Sequence, residues 1–220
     1  MWYSKHLLAI PLDHSASRWT SRRMHTRLHQ MQQHSFALTN PDADTNLIIV
    51  MGVSGSGKTS VAKAVAEHYG YAFLDGDDFH SQESRDLMAQ GIPLTDALRL
   101  PWVIRMRDYF RDAATRNQHS TLAFSGLKRA HREELRKAGL KTIFIFLQSD
   151  KDTIQVRVNK RAGHFMSPTL VDSQFDSLED PSTEADVYRI DVRGPLEQVV
   201  AQTIGVIDRE LHRQPDALFA

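Results

Sequence analysis

Leu47-Ile-Ile-Val-Met-Gly-Val-Ser-Gly-Ser-Gly-Lys-Thr59 is the stretch on which the reading of this chain turns. Residues 47–53 form an unbroken apolar run, the pattern of a strand buried on both faces. Gly52 to Thr59 match G-x-x-x-x-G-K-[ST]. Lys58–Tyr69 then takes helical spacing, with Val61, Val65 and His68 along one side. Glycines in such a turn let successive N–H groups converge on phosphate oxygens, and the helix that follows aims its positive dipole end at them. The pattern assigns Gly52, Ser54, Gly55, Ser56, Gly57, Lys58 and Thr59 to ATP. Lys58 reaches the β- and γ-phosphates, and the Thr59 hydroxyl is a ligand for Mg²⁺.

Working outward, strands are expected at Tyr71–Leu74, Thr121–Phe124, Thr142–Leu147 and Val187–Val192. Helices are expected at Arg99–Arg116, with Pro101 in the first turn, and at His131–Lys137. Further helices are expected at Asp150–Arg161, capped by Asp150 or Asp152, and at Leu170–Leu178 and Leu196–Leu211. Strands alternating with helices give a parallel sheet covered on both faces. The fold class is α/β: a three-layer P-loop NTPase fold with a five-stranded parallel sheet and a lid segment.

The 220 residues suit one such domain. Lys+Arg and Asp+Glu both number 27, so the basic excess of a nucleic-acid binder is missing. No apolar run approaches the ~20 residues of a membrane span. There is no cysteine, which excludes disulfides and thiolate metal sites and fits a cytoplasmic location. Residues 1–41 differ from the rest: Asp13 is the lone acid against Lys5, Arg18, Arg22, Arg23, Arg27 and five histidines. Residues 1–45 therefore read as a basic, disordered extension, superficially like a transit peptide. An upstream start codon is the other reading, with Met24, Met31 and Met51 as later candidates. Residues 46–212 form the domain and 213–220 a tail.

Leu74-Asp-Gly-Asp-Asp-Phe-His80 follows the second strand. The carboxyl end of that strand faces the same crevice as the phosphate loop. Asp75 and Asp77 can divide the work there, one holding Mg²⁺ and the other taking the proton of an attacking hydroxyl. Lys128 and Arg132, four apart after the third strand, suit an anionic substrate, with Arg132 the better fit for a carboxylate. Arg157 and Arg161 form a second i, i+4 pair, read either as a cationic lid or as an ordinary surface helix. Trp102 is read as core.

These residues resemble the gluconokinase family of small phosphate-loop kinases. The resemblance runs from about Leu47 to Leu211. It rests on MGVSGSGKT (51–59), FLDGDDFH (73–80), PLTDALRLPW (93–102), FSGLKRAHR (124–132), RVNKRAGHF (157–165) and LVDSQFDSLEDP (170–181). It implies ATP- and Mg²⁺-dependent phosphorylation of D-gluconate to 6-phosphogluconate, a shikimate-kinase-like fold and a homodimer. By motif, Asp77 orients or deprotonates the acceptor hydroxyl and Asp75 sits near the metal. His80, Arg99, Lys128 and Arg132 line the acceptor pocket, and Arg157 and Arg161 belong to the lid. Three departures stand out. The acidic run usual before Arg99 is reduced to Asp96, followed by Ala97 and Leu98; Gly126 replaces Ala; and His131 replaces Tyr. The alternatives are a kinase of another sugar acid or polyol, and a nucleotide-binding relative impaired in catalysis.

Overall fold

Every side chain of the first strand, β1 (Asn46–Met51), is buried apart from that of Asn46, which is partly covered. This continuous apolar run occupies the middle of a five-stranded parallel sheet. In the computed structural model the strand order is β2 (Ala72–Asp75), β3 (Ser120–Phe124), β1, β4 (Lys141–Gln148), β5 (Val187–Asp191). The structure describes residues 45–90, 92, 94–159 and 168–213, without the side chains of 168–170. The extension up to residue 44, Arg161 and the tail from 214 lie outside the described residues.

Alternation of side chains along β1 sorts the core into two layers. Leu47, Ile49 and Met51 join Trp102, Val103, Met106 and Phe110 of α3 (Asp96–Thr115) and Leu135 of α4 (Arg129–Arg136). Ile48 and Val50 face the other way, against Val61, Ala62 and Val65 of α1 (Lys58–Tyr69) and Val199 and Ile207 of α7 (Leu196–His212). Helices thus cover both faces, as the fold class requires. Among the described residues no helix is long and apolar enough to cross a membrane.

Three features depart from the sequence reading. Gly76–Phe79 makes one turn of 3₁₀ helix, and Gln82–Ala89 forms a helix, α2, that the pattern did not announce. Its apolar residues are too few to show a period, and it is started instead by Ser81, whose Oγ accepts from Ser84 N at 3.1 Å. Helix α3 begins three residues earlier than expected, with Thr95 Oγ1 accepting from Leu98 N at 3.4 Å. Pro101 therefore falls in the second turn, where it leaves the exposed Ala97 carbonyl without its helical donor. Helix α5 (Lys151–Asn159) is capped by Asp150, which accepts from Thr153 N at 2.8 Å.

Candidate active site

All the parallel strands end at one edge of the sheet, so the loops that follow β1, β2 and β3 meet there. The glycine-rich turn after β1 is fixed by its neighbours. Gly52 N donates to Ser125 O at 3.1 Å, and Ser56 N donates to Val53 O at 3.2 Å. A Cβ on Gly52, at φ +146°, would lie 2.8 Å from Leu147 O; one on Gly55 would lie 2.7 Å from Val158 Cγ2. Gly57, at φ +98°, begins α1 in the left-handed region. At Gly52 and Gly55, β4 and α5 leave room for no side chain, whereas Gly57 has open space around it and is favoured by its positive φ alone. Among the described residues the buried Ser56 Oγ has no hydrogen-bond partner, and Lys58 Nζ donates to Val53 O at 3.0 Å, within the loop it serves.

Asp75 links this loop to the next strand. Its Oδ2 accepts from Thr59 Oγ1 at 3.3 Å and its Oδ1 from Asp77 N at 3.1 Å. One carboxylate thus joins the expected metal ligand, Thr59, to the backbone of the expected acceptor residue, Asp77. The Asp77 carboxyl titrates above the ordinary Asp range, because the cleft desolvates it and Asp75 repels its charge, with Lys58 opposing. Its side chain is nonetheless 88% exposed.

His80 lies 3.9 Å from Asp77 and stacks on Trp102 with ring centroids 4.1 Å apart. Burial, with Arg105, Arg85 and Arg99 nearby, lowers its pKa to about 4, so the ring is neutral at physiological pH. Trp102 is core, as expected: its Nε1 donates to Gly76 O at 2.6 Å, which fixes the turn carrying Asp77.

In the loop after β3, Lys128 Nζ meets Asp96 Oδ2 at 2.5 Å, and Asp96 Oδ1 lies 3.7 Å from Arg99. The single acid of the thinned run therefore bridges two expected acceptor-binding cations, an arrangement the sequence reading missed. His131 is buried beside them and titrates below the usual His range through that burial and Arg99. Gly126 is required by its backbone: at φ +59° a Cβ would lie 2.8 Å from Met51 Sδ.

Arg132 is a correction. It is wholly buried, and its Nε and Nη2 engage Glu184. Nη1 donates to Gly126 O at 2.6 Å and Leu127 O at 3.1 Å, and Nη2 to Glu179 O at 3.2 Å. The five N–H donors are occupied, so none is left for a substrate carboxylate. Arg157 hydrogen-bonds the carbonyl of Val192, after β5. Gln174, on α6 (Pro168–Asp176), holds Ser54 of the phosphate loop, with Ser54 N donating to Oε1 at 2.6 Å and Nε2 to Ser54 Oγ at 3.0 Å. The sequence marked the motif containing Gln174 but gave it no task.

A phosphate loop at the carboxyl edge of a five-stranded parallel sheet, joined through one carboxylate to the next strand, defines a small-molecule phosphotransferase. Comparison with known proteins agrees. The family model of an AAA domain matches residues 47–180. Thermosensitive gluconokinase of Escherichia coli is 43% identical over 155 residues, covering 70% of this chain and 83% of that one. Thermoresistant gluconokinase of the same organism is 39% identical over 173 residues, covering 78% and 99%. The crystal structure of a gluconokinase from Sinorhizobium meliloti superposes with a TM-score of 0.69 at 37% identity, over 76% of this chain and 94% of that one. The chain belongs to the gluconokinase family.

Proposed function

We propose that this protein transfers the γ-phosphoryl group of ATP to a hydroxyl of D-gluconate, giving 6-phospho-D-gluconate and ADP. The observation that supports this is the link from Thr59 of the phosphate loop through the Asp75 carboxylate to the backbone of Asp77, with Lys128 and Arg99 gathered on Asp96 after the neighbouring elements. A hydroxyl set against Asp77 would present its oxygen to the γ-phosphorus. The new O–P bond forms as the bond to the ADP oxygen breaks, and the hydroxyl proton passes to Asp77 and then to water. Positioning contributes more than basicity, because a carboxylate is a weak base even with its pKa raised.

The acid group of the substrate suits Lys128 and Arg99, where it would compete with Asp96 for the same cations. Neutral His80 is suited to hydrogen-bond a hydroxyl rather than a carboxylate. The hydroxyl of Thr59 and the carboxylate of Asp75 offer hard oxygen ligands, which fits Mg²⁺, a cation that takes one or two protein oxygens beside substrate phosphates. When bound, that ion neutralises charge on the phosphates. Its protein ligands would be Thr59 and Asp75.

A second reading, a kinase of another sugar acid, is favoured by Ala97 and Leu98 standing where the family carries acids. A panel of sugar acids assayed side by side for ADP release decides between them. The highest kcat/KM with D-gluconate is expected, and a clear preference for another acid would establish the second reading. Asp77→Asn is expected to lose most turnover while keeping ATP affinity; full activity in that variant would remove Asp77 from the reaction.

A further inference from the structure

The sequence LVDSQFDSLEDP (170–181) is unused by the chemistry above, yet it touches both halves of the site. At one end Gln174 clamps Ser54, accepting from its N–H at 2.6 Å and donating to its Oγ at 3.0 Å. Phe175 packs with Val53, Ile154, Val158 and Leu127 beneath the same loop. At the other end Glu179 grips the loop that carries Lys128. Glu179 N donates to Leu127 O at 2.9 Å, and its Oε2 accepts from Arg129 N at 2.6 Å. Helix α4 begins there with no side-chain cap of its own, since Lys128 stands at the N-cap position and its ammonium turns to Asp96. The Glu179 carboxylate therefore supplies the missing cap from a distant part of the chain.

We propose that Gln174 and Glu179 are positioning residues that hold the phosphate loop and the Lys128 loop in fixed register, keeping phosphoryl donor and acceptor at reacting distance. Neither residue is assigned contact with substrate. The chemistry of position 174 fits this role. A Glu there would keep the bond from Ser54 N–H and reverse the other, accepting from the Ser54 O–H, but it would place a negative charge beside the triphosphate. A neutral amide holds the loop without repelling the nucleotide. The proposal rests on phosphoryl transfer to a sugar acid at this site, so its test includes a measurement that needs no acceptor.

The full chain is compared with Gln174→Ala, Gln174→Glu, Glu179→Ala and the double Ala variant. Gln174→Ala should lower kcat about 10- to 100-fold with D-gluconate, the loss expected when donor and acceptor are misplaced by about 1 Å. Glu179→Ala should raise the KM for gluconate. The double variant should lose no more than about the worse single one, since both residues serve one register. Gln174→Glu should retain thermal stability yet weaken ATP affinity roughly tenfold, measured by calorimetry without acceptor. A purely structural clamp would leave ATP affinity unmoved in Gln174→Glu, and that result overturns the proposal. So does unchanged kcat in Gln174→Ala, or full multiplication of the two single losses. Should the unaltered protein fail with gluconate, the gluconate assignment falls while the ATP measurement still decides the role of Gln174.

Discussion

Arg132 and Glu184, 52 positions apart in sequence, form a buried ion pair in which Nε and Nη2 of the guanidinium both meet the carboxylate. Burial alone would push the Glu184 carboxyl up, but hydrogen bonds from Arg132 and Arg136 hold it below the usual range. Arg132 also takes the carbonyls of Gly126, Leu127 and Glu179, and so ties the Lys128 loop to the 179–184 segment. Removing one partner strands a buried charge, which costs about 3–5 kcal/mol. Arg132→Ala should therefore lower the unfolding free energy by that amount in chemical denaturation. Unchanged stability with a raised gluconate KM would return Arg132 to the acceptor pocket.

Lys128 and Asp96 should respond unequally to mutation. With Lys128 assigned to the substrate acid under the proposed function, Lys128→Ala should raise the gluconate KM about 10- to 100-fold, with the KM for ATP unchanged. The Asp96 side chain is 63% exposed, and such ion pairs contribute about 0–1 kcal/mol. Asp96→Asn should shift the gluconate KM by less than about fivefold. Initial-rate kinetics with each substrate varied separately checks both.

His80 gives a pH dependence of stability. Its folded pKa, about 4, lies below the ordinary value of 6.5, so the unfolded chain binds its proton more readily. Stability from this group is therefore complete above about pH 6.5 and is lost as pH falls toward 4, by on the order of 2–3 kcal/mol. Glu184, with its lowered pKa, also loses stability on acidification, though in the carboxylate range. In His80→Gln the decline between pH 6.5 and 4.5 should be shallower than in the unaltered protein, as read from denaturation midpoints. Parallel curves would show that His80 does not titrate as its setting demands.

Asp75 is expected to set the demand for metal. Asp75→Asn keeps an acceptor for Asp77 N but loses the negative charge offered to Mg²⁺. The Mg²⁺ concentration for half-maximal activity should rise about 10- to 100-fold. Chelation by EDTA should abolish turnover in both proteins, with recovery on adding Mg²⁺. An unchanged Mg²⁺ titration would remove Asp75 from the metal site.

Sequence alone determined the central strand, the phosphate loop and the parallel α/β order, because each is a local pattern. An apolar run of 47–53 can only be buried, and a glycine-rich turn between strand and helix has one common use. The aspartates after β2 were legible for the same reason. What tertiary structure decided were the partners of charges. Lys128 and Arg132, four apart, read as one helical face, but Lys128 takes the extended N-cap conformation and turns to Asp96 while Arg132 points inward to Glu184. Gln174 lies 120 residues from Ser54, and no local period predicts their meeting. Such pairings follow from where parallel strands deliver their loops, which is settled only when the sheet is assembled.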